Sequence, residues 1–122
     1  MPKVVHFEIP VDEPRRATAF YRDALGWEVS SFGEEPYWLV QAGGPDEPGA
    51  DGALLVRGEI HRAPVLVVGV EDLDATLERV AASGGEVLQG RMEIPGIGWS
   101  AYFRDPEGNT MGLFEPTPSA SG

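Results

Sequence analysis

The sequence contains no cysteine. This absence excludes disulfide bonds, thiolate metal sites and cysteine nucleophiles together, and it fits a reducing compartment. Basic residues are also scarce, because nine Lys and Arg stand against twenty Asp and Glu, giving a formal net charge of −11. Nucleic-acid binding requires a basic surface that neutralises phosphates. The composition therefore argues against a nucleic-acid partner.

Long apolar runs are absent as well. No stretch approaches the roughly 18 residues of a membrane-spanning helix, and the first residues lack the apolar core of a signal peptide. We therefore expect a cytoplasmic protein with no membrane partner. With 122 residues, 42% of them hydrophobic, the chain is long enough for one domain with its own core.

The two halves of the chain repeat each other. Landmark residues of the first half recur 58 to 60 positions later, and the pairs are Val11 and Val70, Gly26 and Gly84, Gly49 and Gly108, and Gly52 and Gly112. Each half begins with an alternating β-branched segment, continues with apolar residues at helical spacing, and ends with further strand segments. The pattern predicts two βαβββ modules, over about residues 3–57 and 63–116.

Capping residues predict where the two helices begin and end. Asp12 is the expected N-cap of the first helix, and Gly26 is expected to stop it. Asp72 and Gly84 are expected to do the same for the second helix. Residues 117–122 are small and polar, so we expect a flexible tail there.

Two segments, HFEIPVDEPRRATAFYRDALGW and FRDPEGNTMGLFE, give the doubled βαβββ order a family resemblance. The chain resembles the vicinal oxygen chelate superfamily of glyoxalases, bleomycin-resistance proteins and extradiol dioxygenases over residues 3 to 116, most of all its lactoylglutathione-lyase-related branch. The resemblance implies an α+β fold in which residues 1–116 form a single domain. It also implies that both modules form one cup-shaped mixed sheet with helices on its outer face, a small-molecule ligand in the cup, and a homodimer.

Metal-dependent members of that superfamily bind one divalent ion with His or Glu side chains from the first and last strands of each module. His6 falls on the first of these positions, but its counterpart 59 residues later is Val65. The last-strand positions fall on Gly112 and, in the first module, near Gly52 or Ala53. Because none of these residues offers a ligating side chain, we expect a vacated ligand position at Gly112 and no full metal site. A divalent metal held by His6 remains the alternative.

The first strand predicts where the chemistry lies. Alternate residues of a strand face opposite sides, so Val5, Phe7 and Ile9 should pack under the helices while His6 and Glu8 point into the cup. The first interpretation is that His6 is a hydrogen-bonded pocket residue, and the alternative is that His6 and Glu8 act as a general acid–base pair. We expect His61 to be too far away to replace Val65, since four residues of strand span roughly 13 Å.

Aromatic side chains are the remaining candidates for the pocket. The expected lining, beside His6 and Glu8, consists of Tyr37 or Trp38, Trp99, Tyr102, Phe114 and the space above Gly112. The glycine-rich segment 94–99 could form a lip over it. The alternative is that these aromatic residues belong to the ordinary core.

Several functions remain open at this point. One is a protein that binds a small organic molecule without the full metal site of the family, as a binder or as a metal-independent enzyme. The second is a divalent-metal-dependent lyase, isomerase or dioxygenase that uses His6. The third is sequestration of a cationic antibiotic, which the net charge of −11 would attract. A purely structural role is the fourth.

Overall fold

A computed structural model describes residues 2–118 of the chain. In chain order the elements are β1 (Lys3–Val11), α1 (Pro14–Leu25), β2 (Glu28–Ser31), β3 (Tyr37–Gln41), β4 (Asp51–Val56), β5 (Val65–Gly69), α2 (Leu73–Ala82), β6 (Glu86–Ile94), β7 (Gly98–Arg104) and β8 (Thr110–Pro116). The order βαβββ occurs twice, which confirms the predicted α+β class and the internal repeat. Most of the expected flexible tail, residues 119–122, lies outside the described residues.

The chain divides into two compact units, one of residues 5–65 and one of residues 66 onward with the start of β1. In the first unit the strand order is β2-β3-β4-β1, in which β1 and β4 are parallel and the other pairs antiparallel. Its core consists of Val11, Val40 and Leu54, and α1 packs Ala17 and Tyr21 against them. Helix α1 therefore covers one face of this sheet, and the opposite face carries His6 and Glu8 of β1 together with apolar residues such as Ala53.

The second unit repeats this arrangement. Its strand order is β5-β8-β7-β6, with β5 and β8 parallel and the other pairs antiparallel. Its core consists of Leu73, Ala101 and Leu113, with Leu77 of α2 and Phe103 of β7 packed against it. Among the residues that the structure describes, no helix is long and apolar enough to cross a membrane.

Helix boundaries follow the sequence signals with one correction. Asp72 caps α2 as predicted, because its side chain accepts a hydrogen bond from the Ala75 amide at 3.0 Å. The predicted cap Asp12 is wrong, since the N-cap of α1 is Glu13, which makes no side-chain capping bond. The Asp12 carboxylate instead accepts from Arg57 Nε at 2.9 Å. Pro14 at the first helical position lacks an amide hydrogen, so fewer donors there need a cap.

The repeated glycines that end the helices have a physical cause. Gly26 and Gly84 follow α1 and α2 with φ values of 74° and 97°, in the region where a side chain is strained. Gly26 is the C-cap of α1, and Gly84 lies one residue beyond Ser83, the C-cap of α2, so each helix ends next to a glycine with positive φ. This explains why the sequence repeat is clearest at its turns.

Candidate functional site

Strand β1 separates the core from the candidate site by alternation. Phe7 and Ile9 pack against the core beneath α1, as predicted. Val5 does not, because its side chain remains 42% exposed near the start of the strand. His6 and Glu8 occupy the alternate positions, so they lie on the sheet face opposite α1.

Four side chains on this face form a continuous chain of hydrogen bonds. His6 Nε2 lies 2.8 Å from the Tyr37 hydroxyl, and that hydroxyl donates to Glu8 Oε2 at 2.7 Å. The other carboxylate oxygen of Glu8 lies 2.6 Å from His61 Nε2. All four residues belong to the unit of residues 5–65. We call them the His6–His61 chain.

Burial makes the His6–His61 chain energetically significant. Glu8 is only 3% exposed and His61 only 9% exposed. A buried carboxylate without partners would be strongly unfavourable, whereas here each oxygen has a hydrogen-bonding partner. Among the described residues, no buried side-chain nitrogen or oxygen lacks a partner. The two partners therefore compensate the cost of placing Glu8 in the interior.

The protonation of His6 is controlled by its surroundings. Burial lowers the pKa of His6, and the nearby carboxylates of Glu8 and Asp51 oppose this effect without overcoming it. The pKa of His6 therefore lies below its ordinary value of 6.5, so the ring is mainly neutral at pH 7. A neutral imidazole has one unprotonated nitrogen that can accept a proton or a hydrogen bond.

The lowered pKa of His6 predicts a pH dependence of stability. Between that lowered pKa and 6.5 the unfolded chain binds more protons than the folded chain, so the free energy of unfolding rises with pH across this window. We expect H6Q to remove this contribution, giving a shallower dependence than wild type as the pH falls below 6.5. Urea unfolding at several pH values measures the difference, and parallel curves for the two proteins would contradict it.

His61 is the site residue that sequence reasoning set aside. The expectation that it lies too far away assumed a strand, but residues 57–64 form no strand. A turn within this segment is closed by the Gly58 amide, which donates to the His61 carbonyl at 3.1 Å. The segment thereby brings His61 to Glu8. Gly58 and Pro64, which interrupt any strand pattern around His61, were the available signal.

The adjacent aromatic residues of β3 point to opposite faces of the sheet. Tyr37 lies on the face of Glu8, whereas Trp38 packs against the core of Val11, Val40 and Leu54. Trp38 also lines an open cleft of about 450 Å³ beside α1, away from the His6–His61 chain. Of the two alternatives for this position, Tyr37 is therefore the residue that joins His6 and Glu8. A ligand role for Trp38 stays a prediction about the cleft.

Strand register corrects the interpretation of Gly52. Gly52 pairs with Phe7 on the core face, where an added Cβ would lie 2.4 Å from the Phe7 ring. Its counterpart in the other unit is not Gly112. In the first unit β4 pairs Ala53 with Glu8, and in the second β8 pairs Gly112 with Val67, which is the repeat equivalent of Glu8. The repeat offset on these strands is therefore 59, which relates Ala53 to Gly112. Gly52 makes room for Phe7 and marks no vacated ligand position.

Three of the predicted lining residues share one face of the second unit. Tyr102 pairs with Gly112 across β7 and β8, and Ser100 pairs with Phe114, all opposite the face that carries the core. A Cβ on Gly112 would lie 3.0 Å from Val67 Cγ2 and 3.2 Å from the Tyr102 ring. The expected open space directly above Gly112 is therefore largely filled by these neighbours.

Trp99 lies on the core face of β7, opposite Tyr102. Its ring packs against the core of Leu73, Ala101 and Leu113, and the guanidinium carbon of Arg91 lies 4.3 Å from its centroid. The expected lip over residues 94–99 is a tight hairpin turn, closed by the Ile97 amide donating to the Ile94 carbonyl at 2.9 Å. A ligand role for Trp99 would therefore have to arise on the helix side of the sheet.

The residues present do not fit the four-ligand metal set of the resembled superfamily. Val65 is 1% exposed and apolar, and Gly112 and Ala53 carry no donor atoms. His6 Nε2 and both oxygens of Glu8 are engaged in hydrogen bonds. Among residues 2–118, no group of three or more His, Asp or Glu side chains is arranged to hold a metal ion.

Comparison with known proteins places the chain in a family. Residues 3–113 match the model of the Glyoxalase/Bleomycin resistance protein/Dioxygenase superfamily. The chain belongs to this superfamily. The match confirms the resemblance seen in the sequence, and the specific reaction is not set by it.

Individual members of the superfamily are similar over most of this chain. The CFP32 protein of Mycobacterium tuberculosis is 31% identical over 91% of this chain, although the match spans only 43% of that protein. A lactoylglutathione lyase of Haemophilus influenzae is 28% identical over 98% of this chain and 97% of its own length. The crystal structure of methylmalonyl-CoA epimerase from Mycobacterium tuberculosis has a TM-score of 0.67 at 20% identity, covering 97% of this chain and 90% of that one. This last likeness shows the fold alone.

Proposed function

We propose that this superfamily member binds a small organic molecule at His6 and uses the His6 ring to accept a proton or hydrogen bond from it. The supporting observation is the His6–His61 chain, which holds a neutral histidine at the end of a buried, fully partnered network. Such a network holds a functional side chain more rigidly than an isolated residue on the surface would be held. In this proposal His6 is the catalytic or binding residue and Glu8 acts on it through Tyr37.

The charge around His6 favours some ligands over others. Glu8 and Asp51 both place negative charge near the imidazole, and the whole chain carries a net charge of −11. Neutral or cationic molecules should therefore be accepted more readily than anions without a proton to donate. This preference keeps sequestration of a cationic drug as a second candidate. It differs from the first in predicting affinity that weakens with rising salt.

Metal-dependent chemistry is the third candidate and has a separate basis. The similarity to a lactoylglutathione lyase supports a lyase among the activities to be tested. A metal at His6 would have to displace the Tyr37 hydroxyl from Nε2 or bind the other ring nitrogen. Its further ligands would have to come from outside residues 2–118, because within that range no group of three or more His, Asp or Glu side chains is placed to hold a metal ion. We propose that the organic ligand binds without a metal ion. Homodimeric assembly and cytoplasmic location remain proposals beside this one.

A fragment screen tests the proposed function. Chelator-treated protein would be titrated with a library of small neutral and cationic carbonyl compounds while the ring signals of its two histidines are followed by NMR. We expect some compounds to shift the His6 signals saturably, and H6Q to weaken their binding at least about tenfold, as loss of one strong hydrogen bond would.

The matched control is E28Q, an exposed change on the same face of the same sheet. It should bind the compounds as wild type does. Compounds that bind H6Q as tightly as wild type would overturn the proposal. Binding that appears only after a divalent metal is added would favour the metal-dependent candidate instead.

A further inference from the structure

The hydrogen bonds of the His6–His61 chain have a defined direction. A tyrosine hydroxyl has a single proton, and the Tyr37 hydroxyl donates it to Glu8 Oε2 at 2.7 Å. At its other contact, 2.8 Å from His6 Nε2, the same oxygen can then only accept. Nε2 of His6 must therefore carry a hydrogen. Because the ring is mainly neutral at pH 7, its other nitrogen, Nδ1, is left without one.

We propose that Glu8 and Tyr37 fix His6 in the Nε2–H tautomer, so that Nδ1 is the atom that meets the ligand. The inference rests on the proposed function and names the reacting atom of that site. Within the part of the chain that the structure describes, the His6 side chain forms no hydrogen bond other than the one with Tyr37. Tyr37 and Glu8 are positioning residues here, since they act on the ligand through His6.

His61 completes the orientation of Glu8. With Glu8 as a carboxylate that only accepts, His61 Nε2 donates to Oε1 at 2.6 Å, so each carboxylate oxygen receives its own donor. This second bond prevents rotation of the carboxylate away from Tyr37. His61 is therefore a positioning residue three hydrogen bonds removed from His6, and its 9% exposure keeps it away from solvent.

The free Nδ1 defines the class of ligand. An unprotonated nitrogen accepts, so the ligand must present a hydroxyl, an N–H group or a C–H group next to a carbonyl. In a proton transfer, the bond from the ligand to its hydrogen breaks, the electron pair stays on the ligand, and a new Nδ1–H bond forms. The resulting imidazolium keeps its Nε2–H bond to Tyr37, and the negative charge of Glu8 stabilises it. A carboxylate or phosphate oxygen without a proton would meet neither a donor nor a positive charge there.

Nitrogen NMR of the histidine rings tests the tautomer directly. In ¹⁵N-labelled wild-type protein above pH 7 we expect His6 to show a protonated Nε2 and an unprotonated Nδ1. Y37F removes the acceptor, so the His6 ring should change to a mixture of tautomers. The matched control is Y21F, because Tyr21 packs against the α1 side of the core and not against His6. That variant should leave the wild-type tautomer in place.

The outcomes separate this inference from the proposed function. A protonated Nδ1 in wild type, or a Y37F ring identical to wild type, would overturn the inference even if ligands still shift His6 in the screen. If the predicted tautomer is found but no ligand moves the His6 signals, the tautomer and the positioning roles of Tyr37 and Glu8 stand, while the proposed function, and with it the assignment of Nδ1 as the ligand-contacting atom, is overturned. For His61, H61Q retains an N–H donor and should preserve the tautomer, whereas H61A should broaden it into a mixture.

Discussion

Replacing Glu8 with alanine should lower the free energy of unfolding by about 3 kcal/mol, the range found when one partner of a buried ionic network is removed. Glu8 is 3% exposed and accepts from both Tyr37 and His61. Its removal leaves two buried polar groups without their acceptor and opens a cavity where water has little access. We therefore expect the largest single loss of stability in the His6–His61 chain from E8A.

Urea unfolding at pH 7.5 measures this loss, and E28A is the control. Glu28 is exposed on the same sheet, so its removal should change the free energy of unfolding by no more than about 0.5 kcal/mol. E8Q should fall between E8A and wild type, because an amide offers one acceptor where the carboxylate offers two. Equal stabilities of E8A and E28A would show that the buried network does not stabilise the fold.

The second large effect is expected at Gly52. An alanine Cβ there would lie 2.4 Å from the Phe7 ring and 2.5 Å from the Phe7 carbonyl oxygen, closer than side-chain atoms normally approach. The ring can turn away, but the backbone oxygen can move only if β1 and β4 separate. We expect G52A to cost about 2–3 kcal/mol, as overpacking of a core does.

Gly58 provides the matched comparison for Gly52. A Cβ on Gly58 meets nothing within 4 Å, and the alanine amide still donates to His61. G58A should therefore be neutral or slightly stabilising, since alanine restricts the unfolded chain. Thermal or urea unfolding of both variants gives the comparison. If G52A proves as stable as G58A, Gly52 is not there to accommodate Phe7.

The fold was largely predictable because its signals are local. Gly26 and Gly84 mark positive φ values that other residues resist, so the repeat is visible wherever a helix ends. The predicted N-cap Asp72 is confirmed by its side-chain bond to the Ala75 amide. The predicted N-cap Asp12 is wrong, and its carboxylate binds Arg57, which is distant in the sequence. Local chemistry determines where an element ends, and long-range partners decide which of two neighbouring residues caps it.

The candidate site was only partly predictable, because it depends on register and on irregular backbone. Alternation along β1 was enough to place His6 and Glu8 on one face. The counterpart of Gly112 required strand pairing, which shifts it from Gly52 to Ala53. The approach of His61 to Glu8 depends on a turn in residues 57–64 that no periodicity reports. Tyr37 was a candidate, but its role between His6 and Glu8 is visible only in three dimensions.

Metal content tests most directly the central claim that His6 serves an organic ligand and not a metal centre. The protein would be purified without chelator and without a histidine tag, and its transition metals measured by elemental analysis beside H6Q. The account predicts no stoichiometric metal in either protein, because among residues 2–118 no group of three or more His, Asp or Glu side chains is arranged to complete a site around His6. About one equivalent of metal per chain in wild type, lost in H6Q, would contradict it, since a site of that occupancy requires several ligands around His6.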